Sequence, residues 1–368
     1  MRSTSAGVWA LAPYSLGMAA NGEYRVGIVG ATGAVGSTLL EVLAERRFPA
    51  AEVRPLASAR SAGSKVEFDG DQLEVQELTD ETIQGLDLIL SSAGGRVSSE
   101  WAPKWIEAGA VVVDNTSYWR MHDDVPLVVA GVNDDAVAVH NGLIANPNCT
   151  TMELMVALKP ILDAAGIERL IVSTYQSVSG SGRLAIKELR EQAVAVLEGK
   201  EVKAEVYPHQ VAFNVVPQVE NFKDGDDYTT EERKVMAETR KILGLSEAVG
   251  ISSTCVRVPV VTGHSESVNV QTERDLSPDQ CRELLSEAPG LVVLDDPSDG
   301  IYPLPIAAAG RDEVLVGRIR RDPSHERCLN LWVVGDNLRK GAALNAVQVA
   351  ELLHQRDLVR VPAGASLS

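Results

Sequence analysis

The 368-residue sequence predicts an α/β fold in two parts, a Rossmann-type parallel sheet followed by a second α+β domain. Three observations carry that expectation. A short apolar strand, YRVGIVG at 24–30, runs straight into the glycines Gly30, Gly33 and Gly36, and an apolar-periodic helix follows. Strand and helix signals then alternate as far as Pro147, the grammar of a parallel sheet. Beyond Pro147 the strands lengthen and take on polar alternation, as in a mixed or antiparallel sheet with helices on one side. With 45% apolar residues the chain can bury two cores.

In the first part, the apolar positions of VGSTLLEVLA at 35–44 suit a helix packed on the opening strand. Further strands are expected at 53–57, 86–91, 110–114 and 127–130, with helical material including 99–108. The second part should open with a helix over 150–164, then a strand at 168–175 and helices near 182–198 and 230–243. Later strands are expected at 251–261, 265–273, 314–320 and 328–334, and a last helix at about 338–355. No internal repeat is evident.

Charge and cysteine usage exclude several classes. The formal net charge of −17, from 51 acidic against 34 basic side chains, makes nucleic acid and anionic membrane poor partners. Any anionic ligand must be gathered by a local basic pocket. Cys149, Cys255, Cys281 and Cys328 are far apart, without the paired spacing of a structural zinc site, so free thiols in a reducing compartment and no metal are expected. The stretch 7–20 faintly imitates a secretory h-region, but the glycine-turn pattern begins at Tyr24 and no later run is long enough to span a bilayer. The expectation is a cytoplasmic chain in which 1–17 form a disordered extension and Met18 is a possible natural start. N-x-S/T matches at Asn115 and Asn148 then say nothing about glycosylation.

Chemistry concentrates at a few places. Gly30 and Gly33 would let backbone turn close to a pyrophosphate at the N-terminus of the following helix. After the next strand, where an acidic residue would select a ribose diol, the chain has Ser58, Arg60 and Ser61, which suit the 2′-phosphate of NADP. An exposed turn arginine is the plain alternative. In NPNCTT at 146–151, Cys149 falls in the first turn of a helix, where orphan N–H groups and the dipole favour thiolate over thiol. His264 lies at a strand junction, where it could be an acid/base or a structural histidine. Arg257, a cation flanked by apolar neighbours on a strand, could deliver its guanidinium into a cleft to hold a carboxylate.

Seven segments in order sharpen the reading: GATGAVG at 30–36, SAGG at 92–95, NPNCTT at 146–151, QSVSGSG at 176–182, EERK at 231–234, CVRVPVVTGHS at 255–265 and GDNLRKGAA at 335–343. Through them the chain resembles the aspartate-semialdehyde dehydrogenase family over nearly all its length. The resemblance implies Cys149 as nucleophile, His264 as general acid/base and Gln176 as the residue that places substrate beside the thiol. It implies Arg257 as ligand of the substrate α-carboxylate, Glu231 as partner of its amino group, and Arg120 and Lys234 as phosphate-binding cations, with Asn115 nearby. A routine surface ion pair is the plain reading of Glu231 and Lys234, which stand three residues apart. The resemblance adds Thr32, Ala34, Val35, Ala93, Gly94, Gly180 and Asn337 to the NADP contacts.

The implied reaction is reduction of L-4-aspartyl phosphate by NADPH through a Cys149 thioester, releasing inorganic phosphate and L-aspartate 4-semialdehyde. The product would feed lysine, threonine, methionine and diaminopimelate biosynthesis. The plan resembles that of glyceraldehyde-3-phosphate dehydrogenase, with a nucleotide domain of 18–148 plus 338–368, a catalytic and dimerisation domain of 149–337, and a homodimer. One position departs from the family: Ala130-Gly131 stand before Val132-Asn133 where a glutamate is common. Two alternatives remain. N-acetyl-glutamyl-phosphate reductase shares the chemistry but needs no group like Glu231 for a free ammonium. A non-catalytic NADP-binding redox sensor would leave His264 far from Cys149.

Overall fold

The computed structural model describes residues 24–365 and 367, so the expectations about 1–17 and Met18 lie outside the described residues. The first sheet contains β1 (Tyr24–Val29), β2 (Ala50–Ala57), β5 (Gln76–Glu77), β6 (Leu88–Ser91), β7 (Val111–Asp114) and β8 (Leu143–Ala145), in the order β5-β2-β1-β6-β7-β8. Every pairing in it is parallel. Its inner strands β6 and β7 are buried throughout, as the apolar runs LILS and VVVD require of a sheet covered on both faces. Between β2 and β5 a hairpin of β3 (Lys65–Phe68) and β4 (Asp71–Glu74) turns at Asp69-Gly70, both with positive φ.

Helix α1 (Ala34–Glu45) buries Leu39, Leu40, Val42 and Leu43, and α2 (Gly95–Glu107) buries Trp105 and Ile106. The strand expected at 127–130 does not form. Leu127 makes a single bridge to Ala145, after which Asn133 and Asp134 draw the Val129 and Gly131 amides into a turn.

From α3 (Cys149–Ala165) onward the second sheet is mixed. Its strands are β9 (Arg169–Gln176), β10 (Gly250–Arg257), β11 (His264–Gln271), β12 (Leu291–Val293), β13 (Val314–Arg321) and β14 (Cys328–Gly335), in the order β10-β9-β11-β14-β13-β12. β10–β9 and β12–β13 are parallel and the other three pairings antiparallel. β10 ends at Arg257, short of the expected 261, because Pro259 has no N–H and the chain turns there.

Helices α3, α5 (Thr230–Leu243) and α6 (Pro278–Glu287) pack on this sheet, and α4 (Arg183–Leu197) follows the turn after β9. A four-residue α7 (Pro305–Ala308) lies against β14. The last helix, α8 (Leu344–Gln355), returns to the first sheet and packs on α1, β6 and β7; it is entered through a π-turn at Arg339–Ala343. No helix among the described residues is long and apolar enough to cross a membrane.

Candidate active site

Ends of elements from both halves meet in a cleft of about 520 Å³. α3 delivers Cys149 because Asn148 caps it: the Asn148 side-chain oxygen accepts from the Thr150 and Thr151 amides at 3.0 and 3.3 Å. β9 ends on Gln176, β10 on Arg257, and β11 begins on His264, so three adjacent strands bring these side chains together at one end of the sheet. His264 Nε2 stands 3.2 Å from Cys149 Sγ. Gly341 of the π-turn lies against Cys149, and a Cβ there would lie 3.0 Å from that of Cys149.

Burial opposes the thiolate that the helix start was expected to favour. Asn148 has taken two of the first-turn amides, and burial, with Glu231 and Glu153 adding to it, pushes the Cys149 thiol up to about 12. Lys234 and Arg257 oppose that rise. His264 is fully buried; burial and then the Arg257 charge lower its imidazole to about 3, against the opposing pull of Glu231. Both shifts favour the uncharged forms, thiol beside neutral ring.

Charged groups line the wall beyond the sulfur. Glu231 accepts from Gln176 and Asn148, each at 2.9 Å, and pairs with Lys234 at 2.6 Å. Burial works against its charge, but Lys234 and these two amides hold it down at about 2. Burial also opposes the Lys234 charge, which Glu231 and Glu220 outweigh, so its ammonium sits above the usual lysine range. Arg257 donates from Nη1 to the Ser177 carbonyl at 2.6 Å and lies over the Tyr207 ring at 5.5 Å. Its buried Nε has no hydrogen-bond partner among the described residues.

Arg120 also reaches the cleft but is heavily engaged, pairing with Glu238 at 3.0 Å and donating to the Asn146 and Asn115 carbonyls. Asn115 receives the Asn146 side-chain amide.

The glycine turn fits a dinucleotide. Gly30 has φ +85, and a Cβ there would meet the Ser92 carbonyl oxygen at 2.7 Å; one on Gly36 would meet the Gly30 oxygen at 2.2 Å. Gly33 caps α1 without a side chain, leaving the helix amides for an anion. Val35, Gly94, Gly180 and Asn337 line the cleft, whereas Gly30, Gly33 and Ala34 belong to the turn beside it and Ala93 to the neighbouring loop after β6. Thr32 faces a separate cavity under the β3–β4 hairpin. Ser58, Arg60 and Ser61 form the exposed turn after β2, and Arg60 makes no ion pair among the described residues. Asn337 spends its side chain on the protein, its Oδ1 accepting from Ser177 Oγ, Ser179 Oγ and the Gly263 amide.

Several residues of the site escaped the sequence reading. Asn148 and Ser177 stood inside quoted motifs and carried a capping or turn signal. Glu238, the buried partner of Arg120 and of the Asn148 amide, has only its helical position to mark it, and three dimensions were needed to find it.

Residues 25–140 match the semialdehyde dehydrogenase NAD-binding domain and 158–340 the semialdehyde dehydrogenase dimerisation domain. The aspartate-semialdehyde dehydrogenase of Aquifex aeolicus (strain VF5) is 54% identical over 340 residues, covering 91% of this chain and 99% of that protein. A crystal structure of aspartate semialdehyde dehydrogenase II from Vibrio cholerae, complexed with ASA, superposes with TM-score 0.86 at 46% identity, over 90% of this chain and 98% of that one. One from Candida albicans, with NADP, gives 0.70 at 25% identity, over 91% of this chain and 99% of the other.

Proposed function

The chain belongs to the aspartate-semialdehyde dehydrogenase family, and from that premise we propose that it reduces L-4-aspartyl phosphate with NADPH, carrying the acyl group on Cys149 and releasing phosphate and L-aspartate 4-semialdehyde. The observation that carries the assignment of roles is the 3.2 Å contact of Cys149 Sγ with His264 Nε2 at the floor of a cleft whose wall holds both charge signs.

Cys149 sulfur attacks the acyl carbon, the C–O bond to phosphorus breaks, and phosphate leaves with the electron pair. Bound NADPH would supply the hydride that takes the thioester to the aldehyde level. Collapse of the resulting thiohemiacetal alkoxide breaks the C–S bond and returns the sulfur, with His264 as its acid/base partner.

Arg257 offers its unpartnered Nε, together with the adjacent guanidinium edge, to the substrate α-carboxylate. Glu231 receives the ammonium and Gln176, 2.9 Å from Glu231, sets the substrate beside the sulfur. Lys234 is the better-placed phosphate cation, since substrate ammonium at Glu231 would leave it with Glu220 alone; Arg120, held by Glu238 and edged by Asn115, adds fixed positive charge. The glycine turn of Gly30 to Val35, with Ala93, Gly94, Gly180 and Asn337, would hold the cofactor. Arg60 between Ser58 and Ser61 favours NADP over NAD, because a guanidinium without an ion-pair partner among the described residues suits a 2′-phosphate. The reading includes a homodimer in the cytoplasm.

The test supplies L-aspartate 4-semialdehyde, phosphate and NADP and follows the absorbance of reduced cofactor. Phosphate-dependent reduction is expected; its absence with folded protein would sink the reading.

A further inference from the structure

Behind the reacting pair the same two elements meet a second time. α3 carries Cys149 and, one turn on, Glu153; β11 carries His264 and, two residues on, Glu266. Four helical residues advance about 6 Å and two strand residues about 7 Å, and each step returns to the same face of its element. Two glycines fix where Glu153 lies. A Cβ on Gly335 would meet its Cδ at 2.6 Å, and one on Gly341 its Oε1 at 3.1 Å. Gly335 stands opposite His264 in the antiparallel ladder of β11 and β14, and Glu266 stands opposite Val333 on the same face. Glu153 and Glu266 thus form a second rung beneath Cys149 and His264.

This rung is made of two acids. Both side chains are fully buried, and none of their four carboxyl oxygens has a hydrogen-bond partner among the described residues. The Gly335 amide comes near enough to ease a charge on Glu153 but does not complete that bond. The cations nearby are committed elsewhere: Lys340 to the Ala130 carbonyl, Asn345 and Gln348, and Arg339 to Glu45 and Asp312. Asp336 brings further negative charge and accepts from the Gly310, Leu338 and Arg339 amides. Towards the cleft, the next titratable groups are the Cys149 thiol and the His264 ring. Burial pushes both carboxyls well above the usual carboxylate range, and Glu266 and Asp336 push Glu153 further. Two carboxylates side by side in a dry site cannot both ionise, whereas one acid can donate its O–H to an ionised neighbour.

We propose that Glu153 and Glu266 share one proton, and that the bond so formed holds the Cys149 turn of α3 in register with the His264 end of β11. Both are positioning residues, since neither lines the cleft. The tie needs one donor and one acceptor between two side chains of this length. A glutamine at 153 supplies the donor permanently, whereas a leucine fills the volume and supplies neither. The kinetic consequence rests on the functional reading above; the shared proton does not.

Infrared difference spectroscopy of the full-length protein tests the proton. In wild type minus Glu153→Gln at neutral pH, the band of a protonated carboxyl is expected, because the amide replaces the shared proton and leaves Glu266 ionised. Absence of that band overturns the proposal. A carboxyl raised in the folded state adds its stability in acid and loses that contribution as pH climbs from its unfolded towards its folded value. The Tm of Glu153→Gln relative to wild type should therefore rise between about pH 4 and neutrality, and a constant difference overturns the shared proton. Kinetics test the role. Glu153→Leu should lower kcat at least about tenfold with KM for aldehyde within about twofold, while Glu153→Gln keeps kcat within about threefold of wild type. Equal kcat in the two variants overturns the positioning role. If the leucine variant does not fold, the same comparison is made at Glu266, with Gln against Leu. The spectrum and the melting curves are read without turnover, so failure of the proposed reaction and failure of the pair are distinguishable.

Discussion

Glu231 and Lys234 show how a buried wall can hold both charges. The glutamate is held at about 2 against burial, and the lysine above its usual range, so each keeps its charge because of the other and of Gln176, Asn148 and Glu220. A depressed carboxylate stabilises the fold above its unfolded value of about 4.3, and that contribution is lost as pH falls through its folded value. A raised lysine contributes fully below about 10.4 and loses its contribution only at higher pH. Melting curves of wild type and Glu231→Gln should therefore differ most from mildly acidic to mildly alkaline pH, and converge at strongly acidic pH; a gap independent of acid would contradict the pairing. At the nucleophile, Cys149→Ser should fold and bind cofactor while losing nearly all turnover, because an alkoxide is harder to form and its ester is reduced less readily. Near-normal activity would remove Cys149 from the role. Arg60→Ala should raise KM for NADP more than for NAD, and an equal rise would place Arg60 elsewhere. Arg120 was legible as a cation but not as a buried ion-pair partner. Its loss should cost about 3–5 kcal/mol of stability by leaving Glu238 unpaired, seen as a lowered Tm beside any phosphate defect.

Among the elements, those with a strong period were legible, including α3, α5, β9 and β14, each placed within two residues. The hairpin β3–β4 was not, because its strands are four residues long and largely exposed, giving no apolar run. Nor was α6, although Ser277 and Gln280 form a capping box with Pro278 between them. The site's strand ends were legible as motifs, but not the register that places Arg257 beside Gln176 and Ser265 opposite Tyr175. The π-turn is the element whose consequence is most direct. It sets Gly341 against Cys149, and Lys340 within it donates to the Ala130 carbonyl, Asn345 and Gln348. The loop it grips is the Ala130-Gly131 departure, where Gly131 takes φ +84. Burial brings Lys340 down to about 7, with no carboxylate in ion-pair reach among the described residues. Gly341→Ala would put a methyl 3.0 Å from the Cys149 Cβ and 3.1 Å from Glu153 Oε1. Overpacking of this kind costs about 1–3 kcal/mol, but displacement of the sulfur from His264 should lower kcat by at least about tenfold. A variant with reduced Tm and unchanged kcat would show that the turn is only structural.

Across the whole molecule, the second sheet has two unlike faces, and the difference bears on assembly. Thr174, Gln176, Glu266 and Val268 are buried under the helices, whereas Ser173, Tyr175, Ser267, Asn269, Asn330 and Trp332 on the other face are only half-buried. Tyr175 and Trp332 lie 5.3 Å apart there, and an aromatic pair among small polar residues is suited to a contact between subunits. The match of 158–340 to a dimerisation domain points to the same half of the chain. On this proposal a charge at the centre of the face, Ser267→Arg, would meet its own copy across a two-fold axis and split the dimer without touching the core. Sedimentation should show monomer, and circular dichroism a native fold. Activity should nevertheless fall, because β9 and β11 each carry this outer face and end on Gln176 or begin on His264, so seating the sheet also seats the reacting pair. The expected loss is in kcat, with KM for aldehyde less affected, since Arg257 approaches from β10 at the sheet's edge. A dimer of unchanged stability in Ser267→Arg would show that the subunits meet through another surface.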